Sequence, residues 1–135
     1  MMKTSIEIRD DIFRILKDSE IAKEANGKLC NKPQRPLNSV KEDICIGVIS
    51  NENIGQDRQL AVVQVNVYCQ DINHDGQMEE NTSRLRVLER KLEASLDWYN
   101  GGDFYLTITR LKSHKAEGID AHFAQAQLTY HQNNY

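Results

Sequence analysis

The stretch NTSRLRVLERKLEASLDWYNGGDFYLTITRLKSHKAEGIDAHFAQAQLTY, residues 81–130, decides the fold. Leu85, Leu88, Leu92 and Leu96 recur at three- and four-residue steps and so share one stripe of a helix, Asn81 to Leu96. Arg84, Arg86, Glu89, Arg90 and Glu93 fall on its other face. Asn100-Gly101-Gly102-Asp103 breaks that helix, and beyond it the apolar period drops from about 3.6 residues to about 2. Phe104, Leu106 and Ile108 alternate with Tyr105, Thr107 and Thr109, which predicts a strand over Phe104 to Leu111. A last strand is predicted from Ile119 to Tyr130. Its apolar residues change phase: Ile119, Ala121 and Phe123 come first, then Ala124, Ala126, Leu128 and Tyr130. A bulge near Phe123 and Ala124 would move the apolar set from one face to the other. A continuous strand of that length is roughly 40 Å long, enough for part of it to overhang the domain and meet a neighbour.

Upstream, Ile44 to Ser50 reads as a strand nearly apolar on both faces, and Leu60 to Cys69 as a second. In the second, Val63, Val65, Val67 and Cys69 predict a core face, while Gln64, Asn66 and Tyr68 predict a wet one. A polar loop, Asn51 to Gln59, joins the two strands, and another loop, Asp71 to Gln77, leads into the leucine-striped helix. At the start, Thr4 and Ser5 cap a helix carrying Ile8, Ile12, Ile15 and Leu16, with Phe13 widening the stripe and Glu7, Asp10 and Asp11 near its positive end. It is expected to run to about Asp18 or a turn beyond, with Asn26-Gly27 as its stop. Lys28 to Asn31 is a candidate short strand. Pro33 and Pro36 then impose extended backbone, making Asn31 to Asn38 the heart of a connector over residues 31–43 and a candidate mobile arm. The order is α-β-β-β-α-β-β. The expectation is a single α+β domain over residues 1–135, a mostly antiparallel sheet of about four main strands flanked by two helices.

A chain of 135 residues buries roughly two-thirds of the surface that its unfolded form exposes. Its 39% hydrophobic and 27% charged residues are ordinary, and its mean hydropathy of -0.63 is on the polar side. The net charge of -3 comes from 17 basic and 20 acidic side chains that alternate in sign, which disfavours sequence-specific binding of nucleic acid. No apolar run approaches the roughly 18 to 20 residues of a membrane span, and Met1 to Thr4 lead into a charged amphipathic segment, so no membrane role and a cytosolic location are expected. Cys30, Cys45 and Cys69 are odd in number, widely spaced and outside any CxxC pair. They read as reduced, small buried hydrophobes.

One string matches a chemical motif: Asp71-Ile72-Asn73-His74-Asp75-Gly76 places oxygens at alternate positions before a glycine, as a calcium-binding EF-hand loop does. The bidentate acid expected at the loop's end falls on Thr82, with Glu79 and Glu80 too early. A polar turn is therefore favoured over a calcium site at Asp71, Asn73 and Asp75. His74, His114, His122 and His131 lack metal-ligand spacing. Glu79, Glu80, Asp97 and Asp103 offer carboxylates for acid-base work, but no serine, cysteine or lysine is evidently placed to complete such a site. The mark of a small hydrolase would be a deep pocket holding two or more of Asp71, His74, Asp75 and Glu79 with shifted pKa values. Gly101-Gly102 precedes a strand, not a helix, and so is a turn and no phosphate cradle. Trp98, Tyr99 and Tyr105 are better placed to cover the end of a core than to stack on bases. The reading names no catalytic, cofactor or metal residue.

The order of elements, from Ile8 to Leu16 through Gly27-Lys28-Leu29, the proline connector, Ile44 to Ser50, Val63-Gln64-Val65-Asn66-Val67-Tyr68, Arg84 to Leu96 and the closing pair Phe104 to Leu111 and Ala121 to Tyr130, resembles the tail terminator, or tail completion, family of long-tailed bacteriophages and prophages. The resemblance covers nearly the whole chain. It implies a small sheet flanked by helices, assembly into a homohexameric ring on the tail tube protein, contact with head-tail connector proteins, and no catalytic residues. It also implies residence in the bacterial host cytoplasm during assembly and then in the virion tail. Gln64, Asn66, Thr107, Thr109, Gln125 and Gln127 are the candidates for a polar face lining a tube, and the last strand and proline arm are the candidates for contact between copies. The alternatives are another head-tail connector or neck subunit, a small hydrolase, or a calcium-binding module.

Overall fold

Thr4 starts the first helix: its Oγ1 accepts a hydrogen bond from the Glu7 N–H while the Glu7 carboxylate accepts one from the Thr4 N–H, a reciprocal cap. The computed structural model describes residues 2–133 and is α+β, with helices α1 (Ser5–Lys17), α2 (Glu20–Glu24) and α3 (Thr82–Leu96). Its strands are β1 (Leu29–Cys30), β2 (Ile44–Gly55), β3 (Arg58–Gln70), β4 (Ile72–His74), β5 (Gln77–Glu79), β6 (Phe104–Lys115) and β7 (Ala121–Asn133). The main sheet has the order β1-β2-β3-β7-β6, antiparallel except for the β1–β2 pair, and β4 with β5 forms a separate hairpin.

The predicted α+β architecture is present, with three helices where two were expected. Ser19 is the reason. Its Oγ donates to the Leu16 carbonyl at the end of α1 and accepts from the Ala22 N–H at the start of α2, so one hydroxyl stops one helix and caps the next. Residues 51–59, read as a loop, are mostly strand. The pairing of β2 with β3 continues to Gly55 and Arg58, and the turn is only Gln56-Asp57, both left-handed with φ of 54° and 58°. Polar Asn51 and Gln59 belong in this ladder because they tie down the N-terminus. Gln59 accepts from the Lys3 N–H and donates to the Lys3 carbonyl, and Asn51 donates to that same carbonyl.

The expected bulge in the last strand is not there. β7 pairs with β3 residue for residue from Ala121 opposite Gln70 to Asn133 opposite Arg58. The irregularity lies across the ladder in β6, between Ile108 and Arg110. Phe123 is apolar on the outer face because it packs there between Tyr68 and His114, at ring separations of 5.4 and 5.3 Å. Nor does the strand overhang: β7 is flanked by β3 and β6 along its length, so the sheet's outermost strands are β6 on one side and β1 and β2 on the other.

All three helices cover one face. Ile8, Ile12 and Leu16 of α1, Ile21 of α2 and Leu85, Leu88, Leu92 and Leu96 of α3 are fully buried or nearly so, against Ile44, Ile46, Val63, Val65, Val67, Ala124, Ala126 and Leu128. Each buried leucine or isoleucine contributes about 1.5–3 kcal/mol. Two polar clusters lock the layers. Arg84 donates to both Glu42 carboxylate oxygens at 2.6 Å, to Glu24 Oε2 and to the Glu24 carbonyl, joining α3 to α2 and to the segment before β2. Burial pushes the Glu42 carboxyl up, but the Arg84 hydrogen bonds, the Asn26 N–H and the guanidinium charge outweigh it and hold it below its ordinary value. On the other side, the buried Tyr130 hydroxyl donates to Asp11 at 2.7 Å, and Lys3 Nζ reaches both.

Candidate functional site

The opposite face of the sheet carries no helix among the described residues, and strand alternation decides what it displays. With Val63, Val65 and Val67 turned to the core, Val62, Gln64, Asn66 and Tyr68 point outward from β3, and Phe123, Gln125, Gln127, Thr129 and His131 from β7. Register then lines up rows across β3, β7 and β6: Val62, Thr129 and Thr107; Gln64, Gln127 and Arg110; Asn66, Gln125 and Lys112. Within these rows Gln64 Nε2 donates to Gln127 Oε1 at 3.3 Å, and Gln125 Nε2 donates to Asn66 Oδ1 at 2.9 Å. Tyr105 and His131 stack at 4.3 Å between ring centres with an angle of 4°, and Thr107 Oγ1 shares a hydrogen bond with His131 Nε2. Burial, helped by the Arg58 charge, lowers the pKa of His131 and favours its neutral form. The result is a broad, mainly polar surface on which the amides are joined in pairs by one hydrogen bond each.

Of the six residues predicted for that face, Gln64, Asn66, Thr107, Gln125 and Gln127 are brought together. Thr109 is not, because it occupies the register shift and spends its hydroxyl on the Gln127 carbonyl at 3.1 Å. The same shift moves Arg110 and Lys112 into the outward phase. Sequence alternation alone assigns them to the wrong side, because an extra residue in one strand leaves no compositional mark.

The proline connector lies beside this face. Pro33 sits 3.5 Å from where a side chain at Gly47 would begin, and the Arg35 guanidinium lies over the Tyr68 ring at 4.3 Å. Arg35 also pairs with Asp43 at 3.2 Å. Burial pushes the Asp43 carboxyl up, yet the Lys28 N–H, Ser39 and Arg35 bring it below its ordinary value. Cys45 is buried under this cover, which explains a strand apolar on both sides at Ile44 to Ile46. Cys30 and Cys45 face each other in register, and Cys69 is buried on the helix side.

The edges differ in their covering. On β6 the Leu106 N–H donates to the Tyr99 carbonyl and the Ile108 N–H to Asp97 Oδ1, so the segment after α3 occupies the first half of that edge. On β2 the Ile46 N–H is the last to find a main-chain partner on its outer side among the described residues, at the Lys32 carbonyl. Where β2, β3, β6 and β7 end together, a cavity of about 450 Å³ opens between Ile54, Arg58, Trp98, Tyr105 and His131. Trp98 is 75% exposed and left-handed, with φ of 57°, so it does not cover the core as expected; Tyr99 and Phe104 stack there instead, at 6.3 Å.

The remaining sequence candidates are dispersed. Residues 71–77, read as a loop, supply Asp71 and the β4–β5 hairpin, with Asp75 and Gly76 left-handed at its turn and Asn73 Oδ1 accepting from the Gly76 N–H. The Asp71 side chain is buried and shares a 2.7 Å hydrogen bond with His122. His74 stands in solvent 3.7 Å from Glu79. Asp71 therefore turns into the body while Asn73, His74, Asp75 and Glu79 lie on an exposed hairpin, so neither the calcium set nor the hydrolase set converges. Glu80 is exposed, Asp97 is used by the Ile108 N–H, and Asp103 lies 3.5 Å from Lys3. Among the described residues no three His, Cys, Asp or Glu side chains gather to hold a metal, and no helix is long and apolar enough to cross a membrane. No protein-family model matches the chain, and no curated protein matches it.

Proposed function

We propose that this chain is a phage or prophage virion structural protein, a tail terminator or tail completion subunit that caps the tail tube and joins it to the head as a homohexameric ring. In this reading it is no enzyme; its partners are copies of itself, the tail tube protein and head-tail connector proteins. Its work begins in the bacterial host cytoplasm and ends in the virion tail. The observation that carries the reading is the sheet face away from the helices, whose rows hold Gln, Asn and Thr with Val62, Arg110 and Lys112 on strands of 12 and 13 residues. Such a surface, polar and regularly paired across three strands, suits a lining better than a ligand pocket.

The lining needs neighbours, and a closed ring needs two different surfaces that meet head to tail. The part-covered edge of β6 and the far half of β2 offer such surfaces, in place of the last strand. Mass measurement in solution with negative-stain imaging tests the proposal: rings are expected, growing onto tubes when tail tube protein is added. A protein that stays monomeric at high concentration, alone and with tail tube protein, overturns it.

A further inference from the structure

We infer that neighbouring copies join by seating the β4–β5 hairpin of one in a basic cavity that α1, β1 and the proline connector form on the next. This rests on the ring-assembly reading above and names its contact. The cavity, of about 500 Å³, has apolar walls in Phe13, Leu29 and Pro36, carries Lys28, Lys32 and Arg35, and has no acidic residue in its lining. Two acids touch that lining, Asp10 bonded to Asn31 at 2.7 Å and Asp43 bonded to Arg35 at 3.2 Å. Lys28 and Lys32 are exposed, and neither makes an ion pair among the described residues. An apolar hollow beside two unpaired ammonium groups is complementary to an apolar side chain flanked by carboxylates.

The hairpin has that character. Residues 72–80 carry Asp75, Glu79 and Glu80 and no Lys or Arg, and every one of them is exposed. Ile72 is 46% exposed and Met78 40%. Each face of the ribbon sets one of these beside an acid: Ile72 is opposite Glu79 in register, and Met78, on the other face, comes two residues before Glu80. A two-stranded ribbon with neither face covered is marginal in water, so a partner that covers it stabilises the ribbon as well as the contact.

Placement suits a head-to-tail contact. The connector feeds β2 at Ile44, opposite Val67, and the hairpin leaves β3 after Gln70, so socket and plug are at the same end of the sheet. They are on different sides of it. The socket lies at β1, the outermost strand, whereas the hairpin's root is tied toward β7, by the Asp71 N–H on the Asp120 carbonyl at 3.0 Å and by the Asp71–His122 hydrogen bond. No hairpin residue lines the cavity of its own copy. A rotation about an axis along the strands therefore brings the hairpin of one copy level with the cavity of the next, with no shift along that axis.

The test uses the full chain with exposed side chains changed. Lys28→Glu with Lys32→Glu reverses the socket, Glu79→Lys with Glu80→Lys reverses the plug, and Ile72→Ser with Met78→Ser strips the plug of apolar groups at constant charge. Unchanged circular dichroism and melting confirm folding. Light scattering on a sizing column should show wild-type oligomers and, for each variant alone, an association constant weaker by about 30-fold or more. Mixing the two charge-reversed proteins matches each reversed plug with a reversed socket and each native plug with a native socket, so the mixture should recover assemblies of wild-type size. Any variant that assembles as tightly as the wild type, or a charge-reversed mixture that stays dissociated, overturns this docking while leaving ring assembly standing. A monomeric wild type removes both.

Discussion

Replacing Arg84 by Met keeps most of the aliphatic stem on α3 and removes the guanidinium that three segments share. Glu42, with its side chain 10% exposed, then loses two charge-assisted hydrogen bonds and keeps only the Asn26 N–H. Two such bonds are worth about 1.5–3 kcal/mol each, but the guanidinium is 26% exposed, so water offsets part of the loss. The expected cost is about 2–4 kcal/mol, or roughly 8–15 °C in Tm for a chain of this size. Urea unfolding followed by far-ultraviolet circular dichroism measures it. The pH dependence is the sharper check. In the wild type the folded pKa of Glu42 lies below its ordinary 4.5, so its contribution is complete above that value and fades as pH falls through the folded pKa. In the variant, burial acts without Arg84 and raises the Glu42 pKa, so acidification relieves an unpaired buried charge. The stability gap must therefore narrow between neutral pH and about pH 3. A gap below about 1 kcal/mol, or one that does not change with pH over that range, would refute the claim that this network locks the helix layer to the sheet.

Two further outcomes follow from the same packing. A Cβ at Gly27 would stand 2.3 Å from the Glu42 carbonyl carbon, so Gly27→Ala should cost about 2–3 kcal/mol, whereas Gly47→Ala, 3.5 Å from Pro33, should change stability by less than about 1 kcal/mol in the same urea assay. Burial pushes the Cys45 thiol up to about 12 and the Cys69 thiol to about 11, and burial followed by the Asp43 charge raises Cys30. Mass spectrometry after iodoacetamide treatment near neutral pH should thus find none of the three alkylated in the folded protein and all three in denaturant.

The parts of this fold legible in the sequence are those where one period runs undisturbed. The leucines of α3, the valines of β3 and the cap at Thr4 each follow from local spacing, and the structure places them as read. What sequence could not show depends on partners far along the chain. Asn51 and Gln59 look like loop residues until Lys3 arrives to use their amides, and Ser19 looks like any helical serine until its hydroxyl serves two helix ends. The phase change in the last strand is visible in the sequence, but local spacing alone points to the wrong cause. The true cause is that Phe123 has neighbours on the outer face, in Tyr68 and His114. For the candidate site, the amide rows were legible because alternation in β3 and β7 is intact. Arg110, Lys112 and the end cavity were not, since a register shift and the meeting of four strand ends leave no signature in composition.

The pairing of amides on the open face bears on where assembly energy comes from. Gln64 donates one hydrogen bond to Gln127 and Gln125 one to Asn66, so each amide spends part of its capacity within the sheet and keeps the rest for water. The open face carries Tyr105 stacked on His131 and the part-buried Val62, Tyr68 and Phe123, while other exposed apolar groups lie off the amide rows, at Ile49 in the β2 irregularity, at Ile54 and Trp98 by the cavity, and at Leu37 and Val40 on the connector. Removing them from water is the term that favours association, and the far half of β2, whose outer main chain has no partner among the described residues, adds direction. Under the ring reading the two jobs are thereby divided: edges and ends hold copies together, while the face between them remains hydrated. A surface that had to both line a passage and drive assembly would need apolar groups on the lining itself, and there they would bind whatever passes.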